Sequence, residues 1–218
     1  MRRTTDDMPT MEPSQQPAPE RHHARVALRD GEIRAALIDW LWSRHACEPD
    51  TVIRNEMGLC VGATRVDIAV INGAISGYEI KSDRDTLNRL PGQVALYDLV
   101  LDAAWVVTTN RYAARVEAHI SPWWGVLGVE RQANETVAFH ILRSAAWNDT
   151  KQEPMAIAQL LWRDEALEEL QAIDAHRGLS RATRWGVWER LVDSMELADL
   201  KATVRRRLKE RPSWPGGQ

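Results

Sequence analysis

Two apolar runs separated by an Asn-Gly pair constrain this chain more than any other feature. Val66-Asp-Ile-Ala-Val-Ile71 and Ala74-Ile-Ser-Gly-Tyr-Glu-Ile-Lys81 flank Asn72-Gly73, a pattern that predicts a β-hairpin. Both faces of both runs are largely apolar, so the hairpin belongs in the middle of a sheet covered on each side. An earlier strand is expected at Val52-Ile53, a later buried one at Trp105–Thr109, and two more at Trp123–Val129 and Val137–Leu142. Helical spacing of Ile33, Leu37, Trp40 and Leu41 predicts a first helix from about Gly31 to His45, with Asp30 as its N-cap. Further helices are expected at Pro91–Leu101 and Arg111–His119. Strands and helices so interleaved give an α/β protein, a mixed sheet flanked by helices.

Beyond Asn148 only helical patterns remain, over Pro154–Ile173, Ser180–Met195 and Glu196–Glu210. The expected organisation is a tail at 1–25 carrying Pro9, Pro13, Pro17 and Pro19, an α/β core at 26–148, a helical basic extension at 149–211 and a flexible tail at 212–218.

Charge divides the chain in the same place. The net charge of −3 over 218 residues conceals ten Lys or Arg against five acids within residues 177–211. Residues 31–175 carry the opposite bias, 13 basic against 21 acidic side chains. A polyanion would meet the basic end first, although a solvated helix face gives the same count. No apolar run approaches the roughly 18 residues of a membrane span. Arg2-Arg3 runs into polar residues and prolines, which predicts no signal peptide. Cys47 and Cys60 are too few for a disulfide scaffold, and a reduced cytoplasm is expected.

The chemistry is concentrated in Arg65-Val-Asp67 and Glu79-Ile-Lys81. Residues two apart on a strand share a face, so Glu79 and Lys81 point the same way and Ile80 the other. An acid and a lysine inside an apolar strand are costly unless paired or used. Carboxylates at Asp67 and Glu79 with one backbone carbonyl, that of Ile80, suffice for Mg²⁺, which keeps several of its waters. Lys81 beside them could orient a water or meet developing charge. Gln93 and Tyr97 lie four apart on the following helix and so share a face.

With that set complete, the sequence resembles the PD-(D/E)XK nuclease superfamily, and Gln93-x-x-x-Tyr97 resembles the added motif of its RecB-type branch. More narrowly, Arg-Val-Asp-Ile-Ala-Val-Ile-Asn-Gly and Gly-Tyr-Glu-Ile-Lys-Ser-Asp resemble a bacterial family of nuclease-like proteins to which no pathway is assigned. The resemblance implies a restriction-endonuclease-like sheet with Asp67 and Glu79 as Mg²⁺ ligands, Mn²⁺ substituting. It also implies Lys81 assisting the water, with Gln93 and Tyr97 supporting the site. Glu56, beside the first strand, is the chosen third acid, with Glu32 on the first helix as the alternative. The leading proline of the motif is absent, since Val66 precedes Asp67.

The expected function is therefore a Mg²⁺-dependent nuclease acting on nucleic acid, DNA before RNA. The competing expectation is the same fold with catalysis lost, serving as a nucleic-acid or partner-binding module. Arg181, Arg184, Lys201 and Arg205 are the expected phosphate contacts on the basic extension. Asp83 and Asp85 are expected to cap the next helix or, failing that, to contact a second metal. Register provides the sharpest expectation. A strict two-residue turn would put Asp67 opposite Tyr78, whereas a three-residue loop sets Ile71 against Ile75 and Asp67 against Glu79. The site requires the second pairing, through a three-residue loop or a bulge, with Gly73 supplying a positive φ.

Overall fold

The computed structural model describes residues 28–212. The tail expected at 1–25, and that at 212–218 apart from Pro212, lie outside the described residues. Six strands form one sheet in chain order: β1 (Val52–Leu59), β2 (Thr64–Ile71), β3 (Ile75–Lys81), β4 (Ala103–Thr109), β5 (Gly125–Arg131) and β6 (Val137–Arg143). The β3–β4 and β4–β5 pairs are parallel and the other three antiparallel. The protein is thus a mixed α/β sheet flanked by helices, with a helical C-terminal extension. No described helix is long and apolar enough to cross a membrane.

α1 (Asp30–Arg44) covers one face of the sheet. Its buried residues Ile33, Leu37 and Leu41 recur every fourth position and pack with Ile68, Val70, Tyr78, Ile80 and Val107. The helix begins one residue before the expected start, at Asp30 itself. Asp30 is therefore inside it rather than at the N-cap, and the Glu32 carboxylate accepts the Arg29 backbone N–H at 3.0 Å. On the opposite face lie α2 (Leu90–Tyr97) and α3 (Asn110–Glu117), together with the extension.

The extension holds α4 (Pro154–Ala158), α5 (Arg163–Ala172), α6 (Arg184–Ser194) and α7 (Leu197–Glu210). The single helix expected at 154–173 is broken because the Trp162 N–H turns to the Glu165 carboxylate (2.8 Å), starting α5 afresh after buried Leu160 and Leu161. Extension and core share one apolar cluster, in which Trp188, Leu191, Leu200, Val204 and Leu208 join Met57, Val66 and Ile71.

The hairpin has the register the site requires. Ile71 faces Ile75 and Ile68 faces Tyr78 across a three-residue loop. Gly73, however, is not in the left-handed region. The loop is closed instead by Asn72, whose backbone N–H reaches the Ala74 carbonyl (3.0 Å) and whose side-chain oxygen accepts the Ala74 N–H (3.2 Å).

Candidate active site

β1 and β2 share an irregularity that shapes the site. The flanking pairs Asn55↔Ile68 and Met57↔Val66 keep one register, which sets Glu56 opposite Asp67. Glu56 has a φ of 54°, a left-handed conformation that costs energy outside glycine. The buried faces switch phase at this pair. Ile53, Ile68 and Val70 pack toward α1, whereas Met57, Leu59 and Val66 pack toward the other side. Register on the β3 side places Glu79 beyond Asp67 in turn. Three acids therefore stand in a row across three neighbouring strands, and all line one cleft of about 770 Å³.

Each carboxylate oxygen of Asp67 and Glu79 accepts a hydrogen bond. Asp67 Oδ2 takes the Ile80 backbone N–H at 2.7 Å, and Oδ1 takes Arg34 at 2.7 Å. Glu79 Oε1 takes Lys81 Nζ at 2.5 Å and Gln93 Nε2 at 2.7 Å, and Lys81 also donates to Gln93 Oε1 at 3.2 Å. The Tyr97 hydroxyl lies 2.6 Å from Glu79 Oε2 and 2.7 Å from the Arg65 carbonyl oxygen. One hydroxyl proton serves only one of these acceptors, so a protonated Glu79 would complete a chain from Glu79 through Tyr97 to Arg65. Burial, and then the charge of Asp67, push the Glu79 carboxyl up against the pull of Lys81 and Tyr97. Burial and the Glu79 charge likewise raise Tyr97 far above the ordinary phenol.

The structure thus brings together Asp67, Glu79, Lys81, Gln93 and Tyr97, with Glu56 on the cleft wall. Ile80 turns its N–H toward Asp67. Because both polar groups of a strand residue point to one side, its carbonyl faces that way too. Glu32 is elsewhere, bound to Arg131 at 2.6 Å. Asp83 and Asp85 cap no helix. The Asp85 carboxylate accepts the backbone N–H and hydroxyl of Ser82, both at 2.7 Å, while Asp83 binds Thr109 and Arg111.

The extension contributes differently from expectation. Lys201 Nζ lies 2.6 Å from Asp102 Oδ1 and Arg205 4.0 Å from Oδ2. Asp102 immediately precedes β4 and binds Ile75 N–H at 2.7 Å, so both cations sit at the end of β3 opposite the carboxylates. They fasten α7 to the sheet and do not form a solvent-facing phosphate track. Arg181 is exposed and Arg184 stacks over Trp185 and Trp188; neither lines the cleft.

Sequence reasoning missed Arg34 and Arg89, and it named Arg65 only as the start of the Arg65-Val-Asp67 motif, without a role. Arg34 follows Ile33 at the border of the buried stripe, one turn after Asp30, and that position was its only visible signal. Arg65 (side chain 62% exposed) and Arg89 line the mouth, where Arg89 has no acidic partner among the described residues.

The family described as "Bacteriophage P4 protein cII" matches residues 24–213, a span that contains the whole sheet, the row of acids and the extension. The chain belongs to that family. Protein cII of Enterobacteria phage P4 is 35% identical over 117 residues, which are 53% of this chain and 43% of that protein, so the match spans less than half of the relative's length. Among solved structures, a protein of unknown function from Silicibacter pomeroyi is similar at 20% identity and a TM-score of 0.40, covering 72% of this chain and 99% of its own.

The residues of this cII-family chain suit a hard cation. Among the described residues no three His, Cys, Asp or Glu side chains converge on one point. A cation here would rest on the Asp67 and Glu79 carboxylates, the Ile80 carbonyl and water, an all-oxygen set of the kind Mg²⁺ accepts. Charge favours it as well. The cleft wall carries Asp30, Glu56, Asp67, Glu79 and Asp85 against Arg65, Lys81 and Arg89, and Arg34 behind them leaves the acids in excess by one. With all of these groups ionised, a divalent ion would offset that excess beside a phosphodiester.

Proposed function

We propose that this chain is a Mg²⁺-dependent nuclease of the restriction-endonuclease-like kind, hydrolysing phosphodiester bonds in DNA, with Mn²⁺ as substitute. The observation that carries the proposal is the convergence of Asp67, Glu79 and Lys81, from adjacent strands, with Gln93 from α2 on a single cleft, Tyr97 holding Glu79 from behind it. Bound there, the cation would neutralise the phosphate and lower the pKa of a water. The chain's own residues do the rest. Lys81, held between Glu79 and Gln93, is placed to orient the attacking water or to meet charge developing on the phosphate. Tyr97 and Gln93 fix the Glu79 rotamer. Arg65 and Arg89 at the mouth offer contacts to flanking phosphates. A cytoplasmic setting agrees with the free thiols of Cys47 and Cys60.

One observation favours a second reading, a binding module without hydrolysis: every oxygen of Asp67 and Glu79 is already engaged by a donor from the chain itself. Digestion of linear, circular and single-stranded DNA and of RNA, with Mg²⁺, Mn²⁺ or chelator, separates the two. Metal-dependent cleavage that is lost in Glu79→Gln supports the nuclease. DNA binding without cleavage under every condition supports the module.

A further inference from the structure

The strongest contacts in the cleft that its proposed chemistry does not use belong to Arg34. From α1 its Nη2 reaches Asp67 Oδ1 at 2.7 Å. Its Nη1 donates to the Asp67 backbone carbonyl at 2.9 Å and lies 3.1 Å from Glu56 Oε1. Asp30, one helical turn back, stands 3.5 Å from its Nε. One guanidinium thus spans the two acids that face each other across β1 and β2, and its side chain is only 22% exposed. Burial pulls the Arg34 pKa down, but the hydrogen bond and charge of Asp67 outweigh it and raise the pKa. Glu56 adopts its left-handed backbone at this contact.

We infer that Arg34 is a resident counter-cation, which a divalent ion must displace from Asp67 before it can bind. The inference rests on the metal reading of the same cleft. Five acids lining one cleft would repel, and an unpaired carboxylate in a half-buried wall is costly. Arg34 supplies the missing positive charge when no metal is present. A metal at Asp67 Oδ1 would sit within a few ångströms of that fixed charge, and repulsion at that separation is strong where water is scarce. Arg34 therefore stabilises the empty cleft and weakens divalent binding. Glu56 belongs to the Arg34 cradle, and when Asp67 turns to a metal the guanidinium retains Glu56 and Asp30 as partners. The remaining donors on Asp67 and Glu79, apart from Lys81, are neutral and orient the carboxylates without opposing a cation.

The test is Mn²⁺ binding to the full chain, measured without nucleic acid by calorimetry and by the electron paramagnetic resonance of free Mn²⁺. Arg34→Gln should tighten Mn²⁺ binding by roughly tenfold, the scale of one charge-assisted hydrogen bond, while lowering the thermal midpoint of the metal-free protein. Arg34→Lys keeps the charge but cannot span Asp67 and Glu56, and should fall between; it also carries the test should the glutamine variant not fold. If the wild type binds Mn²⁺ and both variants bind equally or more weakly, Arg34 positions Asp67 and the displacement idea is overturned, with the metal site intact. If neither wild type nor variants bind Mn²⁺, the metal reading falls with it. Binding acquired only on removal of Arg34 would support the inference most directly.

Discussion

The Asp67 carboxylate accepts the backbone N–H of Ile80 at 2.7 Å, where β2 and β3 stop pairing. A side chain thus completes a rung that the backbone ladder leaves open, which gives Asp67 a structural role beside its proposed one. Asp67→Asn keeps an acceptor for that N–H but turns an amide NH2 toward Arg34. It should lose metal and the Arg34 ion pair while keeping the rung, and cost less stability than alanine. Asp67→Ala strands the N–H and removes the partner of Arg34, and should cost about 1–3 kcal/mol in urea unfolding. Equal stability of the two variants would show that the rung is dispensable. A residue that served only as a metal ligand would tolerate alanine without loss of fold, and the rung to Ile80 rules that out here.

Polyanion contact should follow the cleft mouth. Arg65→Ala with Arg89→Ala should flatten the log–log salt dependence of duplex binding by about two, close to one unit for each phosphate that is no longer neutralised. Lys201→Ala with Arg205→Ala should leave the slope alone and lower stability instead, since Asp102 would be left buried without its cations. A slope that responds only to the second pair would return the interface to the extension.

Acid should loosen the extension. Burial raises the Glu169 carboxyl, but hydrogen bonds from Arg206 and Arg207 outweigh it and hold its pKa below the usual carboxylate range. A depressed acid contributes stability that is full above its unfolded value, about 4.3, and is lost as pH falls through its lower folded value. Glu169→Gln should therefore be less stable than wild type at neutral pH, and the difference should shrink below about pH 4. A pH-independent difference in denaturation midpoints would assign the effect to packing.

Gly73 should tolerate a side chain. Its φ is not left-handed and a Cβ would meet nothing within 4 Å. Gly73→Ala should stabilise the protein by about 0.4–1 kcal/mol through the unfolded state. Asn72→Ala should do the reverse, because it removes the acceptor for Ala74 N–H and the 2.9 Å bond to Glu48. A loss of stability in Gly73→Ala would mean that the loop does need glycine.

The hairpin and its register were legible because Asp67 and Glu79 can meet in only one of the two pairings that Asn72-Gly73 allows. Gln93 and Tyr97 were legible from helical spacing. The distortion at Glu56 was not, since nothing in Arg-Asn-Glu-Met marks a left-handed residue that is not glycine, asparagine or aspartate. Arg34 was hidden because its partners lie on two distant strands. The basic excess at the C-terminus was visible but not its use. Arg206 and Arg207 meet Glu168 and Glu169, Arg211 meets Glu165, Lys209 meets Asp50, and Lys201 meets Asp102. A count of charges cannot tell a solvent-facing cation from one that docks a helix, because only the fold supplies the acids.

The apolar layer that Leu200, Val204 and Leu208 complete beneath β2 governs how the cleft could ever be reused. A fragment ending at residue 148 would keep every residue of the acid row yet bare the side of the sheet on which Met57 and Val66 rest. Recombination or engineering that moves this site to another scaffold must therefore carry the last helices with it. Chain segments that touch no ligand would then travel with the chemistry as an inseparable cargo.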